Sequence, residues 1–186
     1  MPRRILRALL FYFLSGLVLS TFAQAQHALD LAGHSVDPFS AGKVTVLIFV
    51  RSDCPISNRY TPEIQRLARE FDGNAKFWLV YPDRKETAQS VEKHLNDYGY
   101  KIGALLDTHH DLVHRSEAKI TPEAAVFYGS ELRYHGRIDD RAIDFNAFRP
   151  TASSHDLEDA IRAVSKGQPA RKAAGSPVGC YISDLE

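Results

Sequence analysis

A run at residues 44–50, apolar except for Thr45, constrains the fold of this chain more than any other stretch. Its last five residues, Val46–Val50, are all apolar, as is typical of a strand that is covered on both faces. Arg51-Ser52-Asp53 end the run, and Cys54 follows at once, before a segment with helical character. A strand that delivers a cysteine to a helix N-terminus favours thiol chemistry, because the unpaired N–H groups and partial positive charge there stabilise a thiolate.

Helical and strand patterns alternate along the rest of the chain. Residues 27–43 form a lead-in with turns only, and Thr61-Pro62 predicts a cap and first helical turn. The predicted elements are a helix over 61–71, a strand over 77–81, a helix over 87–96, a strand over 102–106, a helix over 111–118, a hairpin of strands 124–128 and 132–137, and a last helix that Ser153 or Ser154 caps and Gly167 ends. Strands joined by crossover helices are parallel. We therefore predict an α/β fold, a three-layer α/β/α sandwich with a central mixed sheet.

The first 25 residues predict a cleaved signal peptide. Arg3, Arg4 and Arg7 precede an apolar stretch at 8–22, and Ala23-Gln24-Ala25 is a small-x-small cleavage site. The alternative is a membrane anchor, but an apolar stretch of this length is short for a bilayer. Cleavage after Ala25 predicts a periplasmic or secreted protein with no stable membrane association.

Charge and length restrict the partners and the number of domains. Cleavage leaves 23 − 3 = 20 basic and 23 acidic residues, a net charge of −3 with histidines neutral. Nucleic-acid binding requires a basic excess, so no nucleic-acid partner is expected. The length predicts one domain, residues 26–167, and the stretch 168–186, rich in Pro, Ala and Gly, is read as a tail that carries Cys180.

Two polar clusters have an ordinary and a functional interpretation. His110 and His114 are spaced for metal binding on a helix, but a solvent-facing polar helix is the commoner meaning, so we expect no metal and no cofactor. The charged residues of 137–141 (Arg137, Asp139, Asp140 and Arg141) predict surface salt bridges, each worth about 0–1 kcal/mol. The alternative is that one arginine anchors the tail or faces Cys54.

Cys54 and Cys180 are the two cysteines of the chain. In an oxidising compartment such a pair tends to form a disulfide. Cys180 lies 180 − 167 = 13 positions beyond Gly167, and a tail of this length reaches roughly 40 Å, enough to return over a small domain. The bridge is either permanent and structural, or it cycles, with Cys54 as nucleophile and Cys180 as resolving thiol. Arg51 is expected to lower the pKa of Cys54, and Asp53 to raise it.

Four features of the chain occur together in one known superfamily. Cys54 follows a buried strand and opens a helix, Pro62 lies eight residues later, Thr121-Pro122 precedes a strand, and a hairpin and closing helix follow. In this order they resemble the thioredoxin-like superfamily, and within it the redoxin, or AhpC/TSA-type, domains. The resemblance covers about residues 36–164 and implies an oxidoreductase for protein thiols and disulfides, with a protein substrate or reductant. It also implies that Thr121 and Pro122, in the superfamily's cis-proline segment, contact substrate beside Cys54.

One subgroup fits more closely, and several positions depart from the better-known activities. Residues 53–58 (DCPISN), 137–141 and 179–182 resemble secreted bacterial redoxin-domain proteins. Ser57 stands where a dithiol thioredoxin carries its second cysteine, and Arg51 where a peroxiredoxin carries a threonine or serine. We therefore predict an exported thiol–disulfide oxidoreductase with Cys54 and Cys180 as catalytic residues and Arg51 and Ser57 as supporting ones. A non-catalytic binding module with a structural Cys54–Cys180 disulfide and an atypical peroxidase remain as alternatives.

Overall fold

The structure of the protein, a computed structural model, describes residues 28–39, 42–183 and 185. The predicted signal peptide lies outside these residues. Within them, no helix is long and apolar enough to cross a membrane. The elements in chain order are β1 (Ala28–Leu29), β2 (Ser35–Val36), β3 (Val44–Phe49), α1 (Pro55–Glu70), β4 (Ala75–Tyr81), α2 (Ala88–Asp97), β5 (Gly103–Leu106), α3 (Asp111–Ser116), β6 (Ile120–Thr121), β7 (Glu123–Tyr128), β8 (Glu131–Gly136), α4 (Asp156–Ser165) and β9 (Cys180–Tyr181).

The strand β3 lies inside a seven-stranded sheet of order β2-β1-β5-β4-β3-β7-β8. Strands β3, β4 and β5 are parallel, whereas β7 is antiparallel to β3 and β8 to β7. The mixed sheet is therefore confirmed. The lead-in, predicted as turns only, adds β1 and β2 antiparallel at the other edge. Strands of two residues are too short to show an alternating pattern.

Alternate side chains of β3 enter two cores on opposite faces of the sheet. Val46 and Ile48 pack in one core, and Leu47 and Phe49 pack in the other. Buried residues of α1, α2 and α4 belong to the first core, and those of α3 to the second. Helices thus cover both faces, which confirms the three-layer sandwich and explains why all six residues of β3 are buried.

The active-site helix begins directly after Cys54, as the superfamily resemblance implies, and not at the Thr61-Pro62 signal. Cys54 is the N-cap of α1 and Pro55 is its first residue, a position that suits proline because the first N–H has no helical partner. Thr61 is not a cap: it is buried inside α1, and its hydroxyl lies 2.9 Å from the Tyr100 hydroxyl. The cap prediction at Thr61 is wrong, and Pro62 lies within the helix.

The predicted serine cap of the last helix is also wrong. The N-cap of α4 is His155, and its side chain makes no capping hydrogen bond. The Ser153 hydroxyl donates to the carboxylate of Asp140, and the Ser154 hydroxyl donates to Asp156 (2.7 Å). Both serines are engaged by acidic partners, one of them distant in sequence, so neither caps the helix.

The start of α3 depends on a buried carboxylate. Asp107 accepts hydrogen bonds from the N–H groups of Leu112 (3.2 Å) and Val113 (2.9 Å). Burial raises the pKa of Asp107 to about 6, although these two donors oppose the shift. Because the folded-state pKa lies above the unfolded value of 3.8, the native state binds the proton more tightly than the unfolded state does.

We expect the contribution of Asp107 to stability to be complete below pH 3.8 and to be lost as pH rises through about 6. Relative to an Asp107→Asn variant, the wild-type free energy of unfolding should fall by about 3 kcal/mol between these limits. Urea titrations of both proteins across pH 4–8 measure this difference, and groups common to both cancel. Parallel pH profiles for the two proteins would contradict the prediction.

Candidate active site

Side chains from α1 and α2 hold the loop between β3 and α1 in place. Glu86, just before α2, accepts hydrogen bonds from the N–H (3.0 Å) and the hydroxyl (2.6 Å) of Ser52. The amide of Asn58 donates to the Ser52 carbonyl (3.0 Å), and His94 Nε2 lies 2.9 Å from Asn58 Oδ1. These contacts fix the loop that leads into Cys54.

Cys54 is fully buried and lies against the segment that precedes β7. Its thiol donates a hydrogen bond to the Thr121 carbonyl (3.2 Å), and the Thr121–Pro122 peptide bond is cis. The two segments meet because β3 and β7 are neighbours in the sheet, with Phe49 paired to Glu123. The structure therefore places the predicted nucleophile beside the predicted substrate-binding pair.

The C-terminal tail runs back over the domain and is anchored there. Arg137 Nε donates to the Asp156 carboxylate (2.8 Å), which also accepts the N–H of Ala174 (3.1 Å). A side chain at Gly175 would meet the Arg137 guanidinium, because a Cβ there would lie 2.7 Å from Nη1. An arginine of the 137–141 cluster thus contacts the tail, as one of the two sequence interpretations anticipates.

The anchored tail delivers Cys180 to Cys54. Its last strand, β9, pairs antiparallel with β6, with Cys180 opposite Thr121. The Thr121 hydroxyl donates to the Cys180 carbonyl (3.3 Å). Both cysteines are free thiols, and their Sγ atoms lie 2.8 Å apart. The structure thus brings together two residues that are 126 positions apart in the sequence.

The pKa values of the two thiols are displaced in opposite directions. Burial raises the pKa of Cys54, but hydrogen bonds from the Cys180 thiol and from the hydroxyl and N–H of Ser57 outweigh it, so the net shift is downward. Burial raises the pKa of Cys180, and its contact with Cys54 raises it further. The favoured ionised state is therefore a Cys54 thiolate that accepts a hydrogen bond from the Cys180 thiol.

Arg51 and Asp53 form a local pair beside the site. Arg51 lies 2.9 Å from the carboxylate of Asp53 and 3.3 Å from that of Asp83. Arg51 lowers the pKa of Cys180 and Asp53 raises it, both less strongly than burial does. Arg51 stands at the sequence position where a peroxiredoxin carries a threonine or serine. Its guanidinium forms ion pairs with two carboxylates.

Ser57 lies one turn into α1, at the position of the missing second cysteine. It is almost fully buried, and its hydroxyl has no hydrogen-bond acceptor other than Cys54 among the described residues. The same hydroxyl lowers the pKa of Cys54. A hydroxyl without another acceptor is suited to donate a hydrogen bond to a thiolate. Ser57 therefore stabilises the ionised form of Cys54, although it is not a second thiol.

Removal of the Ser57 hydroxyl should raise the pKa of Cys54, because the thiolate loses a donor. In a Ser57→Ala variant, the pH midpoint for alkylation of Cys54 by iodoacetamide should move to higher pH. A Cys180→Ser background leaves Cys54 as the single thiol for this titration. Ser116→Ala is the matched control, because Ser116 is likewise buried without a hydrogen-bond partner. If Ser116→Ala moves the alkylation midpoint of Cys54 by the same amount, the effect comes from a general loosening of the core and not from a lost hydrogen bond.

The residues that hold the loop were missed by sequence reasoning. Glu86 contacts Ser52 across 34 positions of sequence, and no local motif links the two residues. Asn58 and His94 are 36 positions apart. Gly179, next to Cys180, was a signal that could have indicated how close the tail lies to β6, because glycine permits close approach of one backbone to another.

Among the described residues, one group could offer three ligand atoms to a metal ion: Glu63, His155 and Glu158, with ligand atoms within 4.8 Å of one another. Arg66 already pairs with Glu63 (2.7 Å) and with Glu158, and Arg162 also pairs with Glu158 (2.9 Å). A cation would have to displace these arginines.

His110 and His114 lie in different surroundings. His110 is buried and its Nε2 lies 2.9 Å from the Pro82 carbonyl oxygen, whereas His114 is exposed and the ring centroids are 6.3 Å apart. The expectation of a solvent-facing helix holds for His114 but not for Leu112 and Val113, which α3 buries.

The fold and the thiol pair define a thioredoxin-like protein of the redoxin type. The profile of the AhpC/TSA family matches residues 23–149, and the chain belongs to that family. This confirms the resemblance drawn from the sequence motifs. No curated protein matches the chain.

Solved structures share the fold at low sequence identity. An uncharacterized conserved protein from Geobacillus kaustophilus is 20% identical, with 84% of this chain and 86% of that one covered and a TM-score of 0.68. A hypothetical protein from Sinorhizobium meliloti is 21% identical, with 83% and 88% covered and a TM-score of 0.70. A secreted Mycobacterium tuberculosis disulfide oxidoreductase is 18% identical, with 73% and 93% covered and a TM-score of 0.53. These likenesses confirm the thioredoxin-like fold.

Proposed function

We propose that the protein is an exported thiol–disulfide oxidoreductase in which Cys54 attacks and Cys180 resolves. The observation that carries the proposal is the 2.8 Å contact between the two sulfurs, with the pKa lowered at Cys54 and raised at Cys180. The shared fold with a secreted Mycobacterium tuberculosis disulfide oxidoreductase is compatible with this activity. Export depends on the predicted signal peptide and its cleavage after Ala25.

The proposed reaction has two exchange steps. The Cys54 thiolate attacks one sulfur of a protein disulfide, forms a mixed disulfide, and releases the other substrate sulfur as a thiolate. Cys180 then loses its proton to solvent or to that leaving thiolate and attacks Cys54 Sγ. A Cys54–Cys180 disulfide forms and the second substrate thiolate leaves, so two electrons pass from the protein to the substrate. The reverse sequence oxidises a substrate dithiol, and a dithiol reductant regenerates the two thiols.

Each supporting residue has a role in this proposal. Ser57 stabilises the attacking thiolate. Thr121 and Pro122 lie beside Cys54, where the resemblance places the bound substrate, and the Thr121 carbonyl contacts the Cys54 sulfur directly. Arg51 stabilises the Cys180 thiolate during the second step, because its positive charge lowers the pKa of Cys180.

The decisive experiment is to trap the mixed disulfide. A Cys180→Ser variant incubated with a disulfide-bonded substrate protein should accumulate an adduct that peptide mass mapping locates on Cys54. The wild type should not accumulate it, because Cys180 resolves the bond. Absence of any adduct, together with a Cys54 thiol that titrates near its ordinary pKa, would remove the mechanism.

The burial of Cys54 favours a second candidate, a non-catalytic binding module with a permanent Cys54–Cys180 disulfide. A buried disulfide resists reduction, and structural disulfides have potentials below about −300 mV. The potential of the Cys54–Cys180 pair, measured in glutathione and dithiothreitol redox buffers, separates the two candidates. A value in the range of known oxidoreductases, about −120 to −270 mV, supports catalysis.

A further inference from the structure

The chain's own C-terminal strand occupies the place from which a substrate would reach Cys54. Cys54 is fully buried, and its sulfur contacts the Thr121 carbonyl and the Cys180 sulfur. A protein disulfide must come within bonding distance of the same sulfur. It must therefore take the position that β9 holds, and β9 shows which chain segment fits there.

The pairing of β9 with β6 is short and is therefore suited to exchange. Each strand has two residues, and together they form a two-stranded sheet separate from the main sheet. One further main-chain hydrogen bond runs from the Ile182 N–H to the Lys119 carbonyl (2.9 Å). Two-stranded pairings of this size are marginal in water, and addition of an extended peptide to a sheet edge is a common mode of recognition.

The position before the cysteine accepts no side chain. A Cβ at Gly179 would lie 2.0 Å from the Thr121 carbonyl oxygen and 2.7 Å from its carbon. Both atoms belong to the main chain of β6, so a larger residue cannot be accommodated by rotation of a side chain. Any segment that presents its cysteine to Cys54 along this path needs glycine at that place.

The two residues after the cysteine differ in how far they are exposed to solvent. Tyr181 is 76% exposed, so the residue directly after the cysteine is not selected. Ile182 is buried and packs in the core on the α3 side of the sheet. The second residue after the cysteine must therefore be apolar.

We propose that a protein segment bound beside Thr121 and Cys54 must follow the pattern Gly-Cys-any-apolar, and that β9 is its resident competitor. The inference depends on the proposed exchange at Cys54 and names the substrate class of that site. A substrate segment displaces β9, and its cysteine sulfur takes the place of Cys180 Sγ and forms the mixed disulfide with Cys54. β9 then returns and Cys180 attacks Cys54 Sγ, so that the Cys54–Cys180 disulfide forms and the substrate segment leaves as a thiolate.

Peptides that copy the tail test the selectivity. The full-length Cys180→Ser protein is mixed with a peptide of residues 176–183 whose cysteine is a mixed disulfide with thionitrobenzoate. Cys54 attacks the peptide sulfur, a Cys54–peptide disulfide forms, and yellow thionitrobenzoate leaves. Replacement of the peptide glycine by valine should slow this release about tenfold or more, because the clash is with backbone. Replacement of its isoleucine by serine should slow the release too.

A second pair of variants tests the competition. In the same Cys180→Ser background, Gly179→Val should loosen β9 and speed the reaction with the glycine peptide about tenfold or more. Ser183→Val places the same side chain at an exposed position and should leave the rate unchanged. Equal rates for glycine and valine peptides, or no effect of Gly179→Val in a folded protein, would overturn the proposal. Exchange of tails between two copies, seen as a dimer in size-exclusion chromatography, would overturn it too.

These outcomes differ from a failure of the proposed function. A small symmetrical disulfide, 5,5′-dithiobis(2-nitrobenzoate), reads the reactivity of Cys54 independently of any peptide. A Cys54 that reacts with this reagent but ignores the peptide pattern overturns only the binding site. A Cys54 inert to both overturns the exchange mechanism itself.

Discussion

Replacement of Cys54 by serine is expected to abolish thiol–disulfide exchange, whereas replacement of Cys180 should leave the first step intact. The difference follows from the opposite displacement of the two pKa values, because only a thiolate attacks a disulfide. Cys54 carries the lowered pKa and Cys180 the raised one. A pair of equivalent structural thiols would not show this asymmetry.

Reaction with 5,5′-dithiobis(2-nitrobenzoate) tests the different roles of the two cysteines, because the number of thionitrobenzoate ions released per chain depends on which cysteines are present. The reduced wild type should release about two thionitrobenzoate ions per chain, one on attack by Cys54 and one when Cys180 displaces the adduct. Cys180→Ser should release about one and keep the adduct, and Cys54→Ser should react at least about a hundredfold more slowly. The Ser57→Ala variant is a useful intermediate, because it should keep the stoichiometry of two and lose rate at neutral pH. Equal rates for the two cysteine variants would contradict the assignment of roles.

The central unit of the site could be predicted from the sequence because its signals are local. The apolar run of β3, the polar stop at residues 51–53 and Cys54 at a helix start are contiguous, and each reports a strong physical preference. The same is true of the alternating helices and strands that build the sandwich. The start of α1 was mistaken because Thr61-Pro62 mimics a cap, whereas the folded chain tolerates Pro62 inside the helix and uses Cys54 as the N-cap.

The sequence paired Cys180 of the tail with Cys54, but the path of the tail could not be predicted. The strand β9 has two residues and no periodicity, and its position is set by partners far away: Asp156 for Ala174, and Thr121 for Cys180. The contact between Glu86 and Ser52 was hidden for the same reason. Such contacts form only when the sheet is assembled, because it brings together segments that are far apart in the chain. No local sequence pattern indicates them.

The charged cluster at residues 137–141 provides the largest stability effect that we expect, and the sequence interpretation underestimated it. The Asp139 side chain is 2% exposed, although surface salt bridges were predicted there. It accepts hydrogen bonds from the Tyr60 hydroxyl (2.7 Å) and from the N–H (2.9 Å) and Nε (2.8 Å) of Arg141. Burial and the Asp139 carboxylate raise the pKa of Tyr60, which keeps its hydroxyl protonated as a donor.

An Asp139→Ala variant should therefore lose about 3–5 kcal/mol of unfolding free energy, because Arg141 and Tyr60 remain partly or fully buried without their acceptor. The matched control is Asp97→Ala, which breaks the Lys93–Asp97 pair, with side chains 74% and 52% exposed, and should cost about 0–1 kcal/mol. Urea unfolding of both variants gives the comparison. If the two variants lose similar unfolding free energies, Asp139 contributes no more than a surface ion pair. Other contacts would then hold the loop after β8 against α1.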